Sequence, residues 1–342
     1  MPQHRFEPPR GRLEEILVDS THLAGNLLGD PAERRVAVYL PEGYENGDRA
    51  YPLFVSLAGF TGSGLKQLAW RAFEESLPQR IDRLVQAGLM GPAIFAFPDG
   101  FTSLGGNQYV DTPVMGRWES FLVDEMVPSL ERAFRLLPSA ASRAIFGKSS
   151  GGYGALIQGM RHGDRWGGVA CHSGDMGFEG CYRGDFPRAL VALAARDGSI
   201  ETFLESLSDS DRIGSDDFHA LMTLAMAASY DPDSGSPLGI RLPMDPHTCE
   251  VDPERWASWL NHDPVELIER AECRDNLLAL RLLFVDCGRS DEYNLQFGAR
   301  RFATRLSQHG VPHTYEEFDG THSGIDHRLD SSLPLLYSAL DV

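Results

Sequence analysis

Apolar residues in this chain fall into short, nearly continuous runs separated by amphipathic stretches. Such runs occupy residues 53–58 (Leu53-Phe54-Val55-Ser56-Leu57-Ala58), 93–97, 143–146, 168–171 and 280–285. Runs of this length and continuity fit strands covered on both faces, as in a parallel sheet. Residues 13–19 and 35–40 have an extended pattern, and the turn Pro41-Glu42-Gly43-Tyr44 follows the second; they predict an opening antiparallel pair. Residues 313–318 alternate more strongly, which predicts a strand near a sheet edge. Helical periodicity marks residues 78–87, 295–308 and 118–134, the last with Phe121, Leu122, Met126, Leu130 and Phe134 near one face. Strands alternating with helices predict an α/β fold with a mostly parallel, doubly wound sheet.

Residues 175–262 break that rhythm. They hold a methionine-containing helical run at 218–230, a loop rich in Pro, Gly, Ser and Asp at 231–246, and the tryptophans Trp256 and Trp259. An insertion between the strand ending near 171 and the strand starting near 280 lies over the C-terminal strand ends, where open α/β sheets bind ligands. The expected organisation is therefore a core of residues 1–174 and 263–342 with a mainly helical cap at 175–262. Trp256 and Trp259 are candidate substrate contacts. The competing reading is a structural excursion whose Met and Trp residues pack a small core of their own.

Composition narrows the partners. The 342 residues carry a formal net charge of −18, which disfavours nucleic acid and anionic membranes, since both call for a cationic face. Basic residues are almost all arginine, Lys66 and Lys148 being the only lysines; this reads as compositional bias without functional weight. Five cysteines (Cys171, Cys181, Cys249, Cys273, Cys287) lack C-x-x-C spacing, which points to reduced thiols. The stretch Met1 to Glu7 has no apolar h-region and no run is long enough to span a bilayer, so a cytoplasmic location is expected. His322 and His327 are five apart and do not share a helical face as metal ligands would; no metal or cofactor is expected.

The chemistry concentrates at residues 146–154, F-G-K-S-S-G-G-Y-G, where Gly147, Ser149 and Gly151 make G-x-S-x-G. A short buried strand precedes it and a helix follows. That strand–turn–helix setting suits a serine nucleophile on a tight elbow. Glycines at 147 and 151 fit because a Cβ would clash there and because glycine tolerates positive φ. A phosphate-binding loop would need glycine five residues before Gly147, and Ser142 stands there.

A serine hydroxyl needs a base, and the base needs an acid to orient it. After the run 280–285 comes D-C-G-R-S-D-E at 286–292. Asp291 is the preferred acid because it lies beyond the strand end; Asp286 is assigned a structural role, bonding loop amides, and Glu292 is the reserve. After the last strand comes Gly320-Thr321-His322-Ser323-Gly324, with His322 as the base, since imidazole takes up and returns protons near neutral pH. Oxyanion donors are expected at the N–H of Ser150 and, in the loop Ala58-Gly59-Phe60-Thr61-Gly62, at the N–H of Phe60, with Gly59 or Thr61 as alternatives.

These segments, together with R-W-E-S-F-L-V-D-E-M-V-P at 117–128 and the Leu57-Ala58-Gly59 loop, resemble the esterase D-like branch of the α/β-hydrolases. That branch includes S-formylglutathione hydrolases, feruloyl and enterobactin esterases, and mycolyltransferases. The resemblance implies an α/β-hydrolase fold and a Ser149–His322–Asp291 triad. Ala58 departs from it, standing where many relatives have histidine. The expected activity is serine-dependent cleavage of small-molecule carboxylic esters through an acyl-enzyme. Rival readings are acyl transfer, thioester or peptide cleavage on the same triad, and a non-catalytic binding protein on a hydrolase scaffold.

Overall fold

The computed structural model describes residues 6–342; Met1 to Arg5 of the N-terminal stretch read above lie outside the described residues. Eight strands form the main sheet: β1 (Arg12–Asp19), β2 (Glu33–Leu40), β3 (Leu53–Leu57), β4 (Ile94–Pro98), β7 (Arg143–Lys148), β8 (Gly168–His172), β9 (Leu282–Gly288) and β10 (Thr314–Phe318). A two-stranded ribbon, β5 (Asp111–Thr112) and β6 (Gly116–Arg117), stands apart from it. The order across the sheet is β1-β2-β4-β3-β7-β8-β9-β10. The β1–β2 and β2–β4 pairs are antiparallel, and every pairing from β4 onward is parallel. The central runs are covered on both sides, as their continuous apolar sequences require, and the half-buried β10 forms an edge.

Successive strand residues alternate between two cores. Phe54, Phe95, Phe146 and Phe284 face one, under the helices Leu77–Gln86 and Leu329–Ala339. Val55, Ala96, Ile145 and Val285 face the other, under the helix Ser150–Arg161. The helix Leu77–Gln86 starts with a reciprocal capping box, Ser76 bonding the Gln79 N–H and the Gln79 side chain bonding the Ser76 N–H.

Two elements differ from the sequence expectation. The predicted helix over 118–134 is continuous but loosened: residues Phe121–Met126 wind as π-helix, and the Val127 N–H donates to Leu122 O, five residues back. Pro128 follows at once and offers no N–H to the ladder. Strand β9 begins two residues later than expected and runs three further. Leu280 is the C-cap of the helix Ala271–Ala279, and the polar Asp286 continues the strand because its carboxylate has partners inside the fold (below).

Residues 175–262 contribute no strand to the main sheet. They supply the helices Phe178–Cys181, Phe186–Ala194, Ile200–Ser208, Ser215–Tyr230 and Pro253–Leu260. Their apolar side chains do not make a core of their own. Phe178, Tyr182, Leu193, Leu224, Tyr230 and Trp259 belong to the same continuous cluster as Val55, Ile145 and Val285. Asp263, the first residue beyond this segment, accepts hydrogen bonds from the Gly177 and Phe178 N–H groups at 2.9 and 2.8 Å, tying the start of the segment to the chain just past its end.

Candidate active site

Strand β7 delivers Ser149 to the C-terminal rim of the sheet, and the helix Ser150–Arg161 starts at the next residue. Ser149 sits at φ 57°, ψ −129°, a strained conformation for a non-glycine residue. Its N–H donates to His172 O at 3.0 Å and its C=O accepts from Tyr153 N–H at 2.8 Å. The flanking glycines are needed for space. A Cβ on Gly147 would lie 2.5 Å from Gly151 backbone atoms, and one on Gly151 would lie 2.2 Å from Leu57 O. Contrary to expectation, neither glycine has positive φ, and the left-handed residue in the turn is the serine itself.

His322 and Asp291, 31 residues apart in the chain, meet at this rim. The His322 Nδ1–H donates to Asp291 Oδ2 at 2.8 Å, and both residues are buried. The other carboxylate oxygen, Asp291 Oδ1, accepts from the Tyr293 N–H at 3.0 Å. The Tyr293 ring stands edge-on to the imidazole, centroids 4.8 Å apart. Glu292, the reserve acid, serves elsewhere: its Oε2 accepts the backbone N–H of His322 at 2.7 Å and fixes the loop. Asp286 does not bond loop amides. It lies inside β9, where Oδ1 accepts from His172 Nδ1–H and Oδ2 from Arg328 Nε–H, each at 2.8 Å.

The loop after β3 lies directly against the elbow. A Cβ on Gly59 would lie 3.0 Å from Lys148 O and 3.3 Å from Ser149 Cβ. The Thr61 N–H donates to Gly105 O at 2.7 Å, which removes it from the oxyanion candidates and leaves Phe60 and Gly59. Tyr109, fully buried, donates its hydroxyl to Ala58 O at 2.8 Å and holds the loop's root. Ser150 opens the helix, and its hydroxyl accepts from the buried Gln108 Nε2 at 2.8 Å. Ser149, Ser150, Phe60 and His322 line one cavity of about 470 Å³.

A family model described as "Putative esterase" matches residues 31–330. The chain belongs to this esterase family. Esterase MT1326 of Mycobacterium tuberculosis (strain CDC 1551 / Oshkosh) is 26% identical over 302 residues, covering 84% of this chain and 52% of that protein. The chain thus spans about half the length of the curated relatives it matches. Among solved structures, a ferulic acid esterase superposes with a TM-score of 0.63 at 20% identity, covering 97% of this chain and 99% of that one. An S-formylglutathione hydrolase from Agrobacterium tumefaciens gives 0.58 at 15% identity, with 98% of each chain covered. These likenesses establish the α/β-hydrolase fold for this esterase-family chain.

The remaining cavity wall comes partly from residues 175–262 and partly from residues that sequence reasoning passed over. Cys181, Tyr182, Phe218 and Met222 line it, as does Asp175. Asp175 is a buried carboxylate accepting a hydrogen bond from the Tyr182 hydroxyl at 2.9 Å. Burial pushes its pKa up to about 6, against the smaller opposing effects of that bond and of nearby His322. The only sequence signal for Asp175 is its place just beyond the end of β8, on the sheet's ligand-binding rim.

Trp256 and Trp259, expected to touch substrate, are not among the cavity-lining residues. Both are buried in an aromatic cluster with Phe186, and Trp259 also meets Tyr182 and Tyr230. Trp256 donates its indole N–H to Glu179. Large apolar side chains on an amphipathic helix turn toward the nearest core, and here that core lies behind the cavity wall.

A second Ser–His–Asp array lies behind the rim. His172, at the end of β8, donates from Nδ1 to Asp286 and accepts at Nε2 from Ser332 Oγ at 2.9 Å. Ser332 has no solvent exposure, while His172 and Asp286 retain 2% and 1%. The parallel register of β8 and β9 sets His172 opposite Asp286.

Proposed function

We propose that this chain is a serine carboxylesterase acting through Ser149, His322 and Asp291, with an acyl-enzyme intermediate. The observation that carries the reading is the buried His322–Asp291 hydrogen bond at 2.8 Å beside a strained serine lining the same cavity. In this reading Ser149 Oγ attacks the ester carbonyl carbon while His322 Nε2 takes the hydroxyl proton. Asp291 holds the imidazole by Nδ1–H and stabilises the imidazolium that forms. The N–H groups of Phe60 and Ser150 receive the developing oxyanion, at the positive end of the helix Ser150–Arg161. His322 then returns the proton to the departing alcohol oxygen, and water, activated by the same imidazole, releases the acid. Residues 175–262 act as the cap, placing Phe218 and Met222 against the substrate's apolar part. The experiment is reaction of the purified protein with a fluorophosphonate probe, followed by peptide mapping and an ester panel. A single adduct at Ser149 with turnover of carboxylic esters is expected; absence of both leaves a non-catalytic scaffold. Adding alcohol acceptors to the same assay separates hydrolysis from acyl transfer.

A further inference from the structure

The chain has two lysines, Lys66 and Lys148, against 31 basic residues of both kinds. Both line the catalytic cavity. Compositional bias explains why lysine is rare; it does not explain why the two that remain line one cavity. Lys148 is the last residue of β7, immediately before Ser149. Lys66 lies on the short helix Gly64–Leu68, which follows the proposed oxyanion loop, and its ammonium reaches back to Thr61 O at 3.5 Å.

Neither ammonium has a carboxylate within salt-bridge distance among the described residues, whereas the acids around them are engaged. Asp291 is held by His322, and Glu292 accepts the His322 backbone N–H. Glu74 and Asp326 flank Arg71 at 3.1 and 3.6 Å, so that guanidinium is already neutralised. Two uncommitted cations therefore face a single void. Burial holds the Lys148 ammonium below its ordinary value, only partly offset by Asp326 and Asp291, as fits a cation lacking a close counter-charge in a cleft. The overall charge of −18 gives no general attraction for anions, so any such preference has to be local.

We propose that Lys66 and Lys148 form an anion subsite, and that the ester substrate carries a carboxylate or similar acidic group seated there. This rests on the ester-hydrolase reading and deepens it by naming a feature of the substrate. The lysines act on selectivity, through charge recognition of a group remote from the reacting carbonyl.

Two matched pairs of esters test it. The acyl-side pair is 4-nitrophenyl hydrogen adipate and its methyl-blocked form; the alcohol-side pair is 4-acetoxybenzoate and its methyl ester. In at least one pair the acid is expected to exceed the neutral form by about tenfold in kcat/KM, and the pair that responds locates the anion on the acyl or the alcohol side. Lys148→Met and Lys66→Met should each shrink that ratio, and Lys148→Arg should restore most of it. Lys66 is exposed on a short surface helix, so Lys66→Met remains informative if Lys148→Met disturbs the elbow. Ratios within twofold in the wild type, or ratios unmoved in both methionine variants, overturn the proposal. Calorimetric titration with adipate, in wild type and Lys66→Met, separates the two readings. Lysine-dependent anion binding without ester turnover removes the hydrolase and leaves the subsite; turnover of neutral esters without anion preference or adipate binding does the reverse.

Discussion

Two serine–histidine–aspartate arrays share this fold, and only one of them puts its serine in a cavity. In the inner array, Asp286, His172 and Ser332 are joined by hydrogen bonds of 2.8 and 2.9 Å and are sealed from solvent. In the outer one, His322 and Asp291 are joined at 2.8 Å, and Ser149 stands alone on a strained turn lining the void. By hydrogen-bond geometry alone the inner array is the more complete. What it lacks is reach: its hydroxyl is directed into the protein and no carbonyl can approach it. Its task is mechanical. His172 O receives the Ser149 N–H, so the inner array braces the strand end against which the outer serine is held. A polar triad is thus assigned by what it can touch, and inner bonds that are complete favour rigidity.

The largest effect should come from exchanging the two serines' fates. Ser149→Ala is expected to lower ester turnover by up to about 10⁶ with the thermal midpoint unchanged. Ser332→Ala should leave turnover within a few-fold and cost about 1–3 kcal/mol in urea unfolding, because the buried His172 Nε2 loses its partner. Comparable turnover losses in both variants would erase the distinction. The aspartates sharpen it further. Asp291→Asn should lower kcat by about 10⁴, by analogy with other triads. Asp286→Asn should act mainly on stability, by about 3 kcal/mol, since Arg328 and His172 both lose a charged partner inside the fold.

A smaller effect separates the cavity's own carboxylate from both arrays. The pKa of Asp175 is raised to about 6, so the folded protein keeps a proton that the unfolded chain has already released. Its contribution to stability is therefore undiminished below pH 4, declines as pH rises from about 4 to about 6, and is level above. Asp175→Asn should flatten that part of the stability–pH curve and gain at most about 3 kcal/mol at neutral pH. Denaturant melts from pH 4 to 8 check the slope; an unchanged slope would remove Asp175 as its source. The smallest change is expected from Trp259→Phe. The indole N–H of Trp259 is buried without a partner among the described residues, so its removal offsets the lost volume, and stability should move by about 1 kcal/mol or less. Ester selectivity should not move at all, because the ring lies behind the cavity wall.

The outer residues were legible because each carries local grammar. Glycines that only a crowded turn needs bracket Ser149, and Asp291 and His322 sit in loops immediately after strands. The mostly parallel sheet and the edge position of β10 followed from where apolar runs were continuous and where they alternated; the order of the strands did not. The inner residues carry no such grammar. Ser332 looks like any serine in a helix, and His172 acquires meaning only when the register of β8 against β9 sets it opposite Asp286. The tryptophans misled for a related reason: a large apolar side chain announces burial, without saying which interior it joins. Glycine misled more narrowly, since absence of a Cβ serves both crowding and left-handed backbone, and only crowding applies at 147 and 151.

Residues 175–262 line part of the cavity and share their interior with the sheet, which bears on turnover. A segment whose Phe178, Tyr230 and Trp259 are threaded into the main interior cannot swing aside as a hinged door without tearing that interior open. Turnover should then be insensitive to tethers that pin residues 175–262 in place.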